Sequence, residues 1–345
     1  MSPRKIKVIV VDDSKLFSKF LSEKLNEDNY IEVVGIAKDP YEARDKILSL
    51  KPDVLTLDVE MPKMDGIEFL KKLLPQYPIP VIMVSSVNEK VFEALEAGAV
   101  DFVDKPSGKT PEDLRKFVKK LIESIKIGVV SKQRRIPIRN NESMSRENKN
   151  VDREIIKSRM IVIGASTGGT NALKEIITSL PKDFPPIVIV QHMPPVFTNL
   201  YAKRLNKDSK LNVVEAENGQ IIEPNNVYIA PGGFQMEIKK SRKGYYLSIN
   251  DGENVNGHKP SVDVMFNSVC ENVKEDVIGV ILTGMGKDGA YGLLNLRNNG
   301  AKTIGQDKKT SIVYGMPKVA YEIGAVEIQK PLSEIPNTLF KLLKE

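Results

Sequence analysis

Short apolar, β-branched runs alternate with stretches of helical spacing in two separate parts of this chain. In the first part, residues 6–11 form the first strand pattern, and Leu16 to Leu25 recur at helical intervals. Residues 33–36, 54–57 and 81–84 predict further short strands. Residues 99–103 suit a last strand and residues 112–125 a last helix. Five strands with helices between them imply a parallel sheet covered on both faces. The second part opens with a strand at residues 160–163 and adds strands at 187–190, 227–230 and 277–282. Helical spacing runs over residues 171–180, 262–273 and 290–298. The expected fold class is α/β, built as two doubly wound parallel-sheet domains.

Between the two parts the pattern fails. The segment contains Ser131-Lys132-Gln133-Arg134-Arg135 and then residues 140–150, with almost no large apolar side chains. Such a segment cannot bury enough surface to offset its ordering entropy. The expected organisation is therefore a first domain at 4–126, a polar basic linker at 127–157 and a second domain at 158–345. From Lys132 to Arg159 there are nine Lys/Arg against four Asp/Glu, so this stretch holds most of the formal +6 charge. The excess does not mark a folded face, which argues against a nucleic-acid partner. It fits a solvated linker, or one that docks on an acidic surface.

The totals narrow the class further. At 345 residues the chain suits two cores rather than one. No apolar run reaches the roughly 18 residues needed to span a bilayer. Asp12-Asp13 interrupts the apolar run that follows the basic N-terminus, so a signal peptide is not expected. The single cysteine, Cys270, lies on a helical stripe with Val262, Phe266, Val269 and Val273, which predicts a structural thiol and no disulfide framework. Together these features predict a cytoplasmic monomer with no membrane insertion.

Chemistry-bearing side chains gather at predicted strand ends. Asp12 and Asp13 follow the first strand, Asp58 the third, Ser85 ends the fourth, and Lys105 follows the fifth. In an open parallel sheet these ends share one edge, where ligands bind. Three close carboxylates repel one another and need a cation; hard oxygen donors suit Mg²⁺. An Asp after a strand is also an ordinary cap or turn residue, so the weight lies on the joint pattern with Pro62-Lys63-Met64-Asp65-Gly66. Over residues 4–125 this set resembles a response-regulator receiver domain. The resemblance implies a flavodoxin-like fold and phosphoryl transfer from a chemotaxis histidine kinase to Asp58. It implies Mg²⁺ on Asp12, Asp13, Asp58 and the backbone carbonyl of Glu60, with Ser85 and Lys105 on the phosphoryl oxygens. Phe102 would be the aromatic switch, a position where the family often carries Tyr.

In the second part, residues 160–163 run into Gly164-Ala165-Ser166-Thr167-Gly168-Gly169, and a helix follows. Ser166 thus sits on a tight strand-to-helix turn whose glycines allow close backbone approach. Free N–H groups and the positive dipole end of a helix suit an oxyanion. The run matches G-x-S-x-G, yet such turns also cradle phosphates. The chain has two histidines. His192 ends the strand at 187–190, while His258 precedes a helix. Asp288 follows the strand at 277–282 and is flanked by glycines. A hydroxyl, an imidazole and a carboxylate at one sheet edge suit nucleophilic acyl transfer. The order Ser, His, Asp differs from the α/β-hydrolase order, which predicts a separate fold with the same chemistry. A second reading is a non-catalytic module whose turn holds a nucleotide phosphate, but the P-loop Lys-Ser/Thr and the G-x-G-x-x-G fingerprint are missing after that strand.

Six motifs recur in order: residues 164–170, Gln191-His192-Met193, Ala230-Pro231-Gly232-Gly233, residues 258–263, residues 283–289 and Tyr314-Gly315-Met316-Pro317. Over residues 158–345 they resemble the catalytic domain of the chemotaxis receptor methylesterase family, which is also protein-glutamine glutaminase. The resemblance implies a Rossmann-like domain with Ser166 as nucleophile, His192 as base and Asp288 as its orienter. Thr167 and Met285 would line the site, with the Met285 N–H as oxyanion donor and no cofactor for the ester chemistry. The implied substrates are methylated glutamates, and certain glutamines, on the cytoplasmic helices of chemoreceptors. Gln306-Asp307-Lys308-Lys309-Thr310 departs from the family's usual acidic-and-alanine version, which bears on domain contacts.

Overall fold

The computed structural model describes residues 4–62, 64–86, 90–106, 110–131, 159–274 and 276–344. It falls into two compact units, one drawn from residues before 136 and the other from residues after 135. The linker proper, residues 132–157, lies outside the described residues.

In the first unit, β1 (Ile6–Val11), β2 (Ile31–Ala37), β3 (Val54–Leu57), β4 (Val81–Ser85) and β5 (Asp101–Asp104) pair in the order β2-β1-β3-β4-β5. All of these pairings are parallel. The helices are α1 (Lys15–Asn26), α2 (Pro40–Leu50), α3 (Gly66–Gln76), α4 (Lys90–Glu96) and α5 (Pro111–Ser131). Local chemistry starts three of them. The side chains of Ser14, Asp39 and Asp65 accept backbone N–H bonds at the N-termini of α1, α2 and α3. β3 and β4 are buried at every position, as a sheet covered on both faces requires. One core layer joins Val8 and Val10 to Leu21, Leu25, Phe117, Leu121 and Ile125.

One boundary differs from expectation. The last helix runs on to Ser131 and so takes in the first residues read as linker. Packing extends it. Ile127 is buried, and a Cβ on Gly128 would meet Pro80 at 3.3 Å, so the helix lies close over the sheet there.

The second unit has strands β6 (Arg159–Ala165), β7 (Ile187–Gln191), β8 (Asn212–Glu215), β9 (Asn226–Ile229), β12 (Asp276–Ile281), β13 (Lys302–Gln306) and β14 (Ile328–Lys330) in one sheet. Their order is β14-β13-β12-β6-β7-β9-β8. Every pairing is parallel. This is the Rossmann order with one strand, β9, set between the second and third. A separate antiparallel hairpin, β10 (Gln235–Ser241) with β11 (Gly244–Asn250), stands beside the sheet. The helices are α6 (Gly169–Ser179), α7 (Phe197–Asp208), α8 (Val262–Asn272), α9 (Ala290–Asn298), α10 (Met316–Glu322) and α11 (Ile335–Lys344). Phe266, Met265 and Val262 of α8 pack on Val162, Val188 and Ile281 in the main core. The direction of winding reverses between β6 and β12, and a crevice at the strand ends is expected there. Among the described residues no helix is long and apolar enough to cross a membrane. Cys270 is half-buried against the core, and burial pushes its thiol pKa up.

Candidate active site

Three adjacent strands supply the three expected side chains. The register that pairs Ala165 with Gln191 carries on to bring Ser166 beside His192, and the His192 N–H donates to Ala165 O at 3.1 Å. On the other side of β6, β12 leads into Thr283, whose carbonyl accepts the Ser166 N–H at 3.0 Å.

Backbone contacts fix the turn at Ser166. The Gly169 N–H donates to Ser166 O at 2.7 Å, and Gln191 Nε2 donates to the same oxygen at 3.0 Å. A Cβ on Gly169 would stand 2.1 Å from Gln191 Oε1, which is why glycine opens α6. Thr283 Oγ1 donates to Thr167 O at 3.0 Å. The Thr283 N–H in turn donates to Gln306 Oε1 at 2.8 Å. Gln306 Nε2 donates to Thr310 O, and Asp307 accepts from the Thr310 N–H, so the 306–310 loop braces the turn. Among the described residues the backbone N–H groups of Thr167 and Met285 donate to no protein acceptor. Met285 itself is exposed.

Asp288 is buried and ringed by donors. Its Oδ1 accepts from Ser261 Oγ at 2.7 Å, Asn256 Nδ2 at 2.8 Å and the Asp263 N–H at 3.4 Å. Its Oδ2 accepts from the Val262 N–H at 2.6 Å and lies 2.9 Å from His192 Nε2. Burial alone would raise its pKa, but His192, Asn256 and Ser261 outweigh that and hold it far below the usual carboxylate range. Asp263 behaves oppositely. Burial, with the Asp288 charge nearby, pushes it up despite bonds from the Gly292 N–H and Asn256.

The imidazole therefore uses its Nε2 for the carboxylate, the reverse of the familiar serine-protease arrangement. Nδ1 is buried with no protein partner. That nitrogen is the one left for the neighbouring hydroxyl of Ser166, with which it makes no hydrogen bond in this structure. Sequence reasoning gave no role to Asn256, Ser261, Asp263 or His258. His258 stacks on His192 with ring centroids 3.7 Å apart and planes 11° from parallel. Residues 258–263 stood out as a motif, but only the fold shows that they surround Asp288.

The first unit gathers its own set. Asp12 and Asp58 are buried, Asp13 is exposed, and ligand oxygens of all three lie within 4.8 Å of one another. Lys105 Nζ stands 2.6 Å from Asp58 Oδ2 and 2.8 Å from Asp12 Oδ2. Burial raises the Asp58 pKa; Lys105 pulls it down and Asp12 adds to the rise, leaving it above the ordinary value. Asp13, Glu60, Ser85 and Lys105 line the same cleft. One ammonium does not balance three carboxylates, so this open oxygen-donor set fits a hard divalent cation that keeps some of its water. Phe102 is buried, with Lys120 Nζ 5.8 Å from its ring centre.

An acidic cleft suited to a cation on one α/β unit and a hydrolase-type strand-end cluster on another are the arrangement of a response regulator with an enzymatic output. The family profile described as response regulator receiver domain matches residues 8–119, and the one described as CheB methylesterase matches residues 161–339. A protein-glutamate methylesterase/protein-glutamine glutaminase of Syntrophomonas wolfei is 48% identical over 345 residues, covering 100% of each chain. One from Sulfurimonas denitrificans is 47% identical over 348 residues, covering 99% of each. The solved CheB methylesterase catalytic domain of Thermotoga maritima is 42% identical, with a TM-score of 0.53 over 54% of this chain and 100% of that one. The chain belongs to the CheB methylesterase family.

Proposed function

We propose that this chain is a phosphorylation-activated protein-glutamate methylesterase and protein-glutamine glutaminase. Its substrates would be glutamate methyl esters and selected glutamines on chemoreceptor cytoplasmic helices. The observation that carries the reading is the His192–Asp288 bond together with the buried His192 Nδ1, which has no protein partner, on the strand end next to that of Ser166. Ser166 Oγ attacks the ester carbonyl while His192 Nδ1 takes its proton. Asp288, kept ionised by its donors, stabilises the imidazolium. The free N–H groups of Thr167 and Met285 receive the oxyanion. His192 returns the proton to departing methanol, or to ammonia from a glutamine, and a water then hydrolyses the acyl-enzyme.

In the receiver unit Asp58 is the phosphoryl acceptor for a chemotaxis histidine kinase. Asp12, Asp13 and Asp58, with the Glu60 carbonyl, would hold Mg²⁺, which when bound neutralises charge during transfer. Ser85 and Lys105 bind the phosphoryl oxygens, and Phe102 responds to them.

The test is methanol release from methylated receptor, with and without Mg²⁺ and a small phosphodonor. Stimulated release by the wild type and none by Ser166→Ala is expected. Release at the full rate by Ser166→Ala removes the esterase reading.

A further inference from the structure

The loop between β11 and α8 touches both Asp288 and His192, and the contacts that two of its residues, Asn256 and His258, make with Asp263 and with the His192 ring go beyond the donor shell described above. Its centre is a two-residue hairpin turn. The Val255 N–H donates to His258 O at 3.1 Å and the His258 N–H donates to Val255 O at 2.9 Å. Asn256 has φ 54° and Gly257 φ 83°, the left-handed pair of a type I′ turn, for which Asn-Gly is the favoured dipeptide. Turn geometry alone would accept Asn, Asp or Gly at the first position.

The Asn256 side chain does more than the turn needs. Its Nδ2 lies 2.8 Å from Asp288 Oδ1 and 2.7 Å from Asp263 Oδ2, so one amide serves two buried carboxylates. An Asp there would add a third negative charge, and a Gly would leave both oxygens short of a donor. Two residues on, the His258 ring covers the face of His192. That contact adds to the restraint from the Asp288 bond. Nε2 lies nearer the extended Cβ–Cγ axis than Nδ1 does, so a small rotation about that axis moves the bonded nitrogen less than it moves Nδ1. The same rotation swings Nδ1 toward or away from Ser166, and this terminal torsion is intrinsically soft.

We propose that Asn256 and His258 are positioning residues for the hydrolytic reaction. Asn256 keeps Asp288 an anion beside Asp263, and His258 fixes the plane in which His192 presents Nδ1 to Ser166. The proposal rests on the esterase reading of Ser166, His192 and Asp288. The titratable or charged groups around the Asp288 carboxylate are His192 beyond β7, Asp263 on α8 and His258 in the turn. Lys287 reaches over the Tyr291 ring, and Lys259 pairs with Asp251 at 2.6 Å.

The experiment uses the full chain and a fluorophosphonate that labels the active serine, followed from pH 4 to 9, with melting temperature in parallel. Asn256→Gly keeps the left-handed turn. It should label about ten-fold more slowly, the loss expected of one hydrogen bond to a charged group. With one donor fewer, the negative charge of the Asp288 cluster is less compensated and the cluster holds a proton to higher pH, so the acid limb of the rate profile should move up, and Asn256→Asp, which adds a charge, should move it further. His258→Ala should also label about ten-fold more slowly, and His258→Phe should recover most of that rate because a flat ring again covers His192. A role in stability alone would lower the melting temperature without moving the limb. An unchanged rate and limb in Asn256→Gly, or a His258→Phe no faster than His258→Ala, overturns the proposal. A wild type that does not label at Ser166 removes the esterase reading and this one with it; a labelled wild type with indifferent variants removes this one alone.

Discussion

Asp58 and Asp288 occupy the same kind of place: each is buried beyond the C-terminal end of a parallel strand. Their surroundings push them in opposite directions. Asp58 has one ammonium and a second carboxylate for company, and its pKa rises above the ordinary value. Asp288 has five hydrogen-bond donors, and its pKa falls far below it. The first is an under-neutralised carboxylate, suited to a cation and to the phosphoryl transfer proposed for it. The second is a fixed anion whose task is to hold an imidazole. Position on the sheet edge brings chemistry together, and the hydrogen-bond shell decides which chemistry it is.

The comparison can be broken most severely at Asp288. Asp288→Asn keeps the shape but presents an amide to Nε2 and removes the counter-charge, so methanol release should fall by about 10³-fold or more. A fall under ten-fold would mean that the fixed anion is dispensable. At Asp58 the expected effect is on control. Asp58→Asn should take up no phosphoryl group from a small phosphodonor, and its methanol release should gain nothing from the donor; equal stimulation of both proteins would refute Asp58 as acceptor. Asp12→Asn should weaken Mg²⁺ binding to the receiver unit by about ten-fold, read by titration of the metal alone, because one of three carboxylates is lost. An unchanged affinity would place the cation elsewhere.

The smallest effect is on stability against pH, and its sign differs between the two aspartates. Asp288 has a depressed folded pKa, so its contribution is present above the unfolded value of about 4 and is lost as pH falls. Asp58 has a raised one, so without metal the folded state holds its proton longer and stability declines as pH rises through that range. Urea unfolding at pH 3, 5 and 7 should show Asp288→Asn losing most stability at pH 7. Asp58→Asn should gain at pH 7. Matching pH trends in the two variants would erase the contrast.

Much of this was legible because strand runs such as residues 187–190 and 277–282 are continuously apolar, so the polar residue after each one stands out. Asp12, Asp58 and His192 stand out that way, and Ser166 and Asp288 by the glycine-rich segments that follow their strands. Asn256 and His258 do not. They lie in a turn whose partner carboxylate is some thirty residues away, and no local period records that contact. The choice of Nε2 for Asp288 is also invisible before the fold exists. The β10–β11 hairpin escaped notice because Lys239-Lys240-Ser241-Arg242-Lys243 hides the alternation around its tip. The end of α5 was missed because Gly128-Val129-Val130 has weak helix propensity, which packing against the sheet overrides.

The placement of Ser166 on the middle one of three neighbouring strands has a consequence for synthesis. β6 and β7 are close in sequence, but Asp288 arrives 122 residues after Ser166, once β12 has threaded in along the far side of β6. A ribosome-bound chain halted before residue 276 carries the proposed nucleophile and the imidazole without the carboxylate that bonds to Nε2. If the proposed triad acts, hydrolytic competence is thus withheld from the nascent polypeptide until about the last fifth of the chain has emerged and docked.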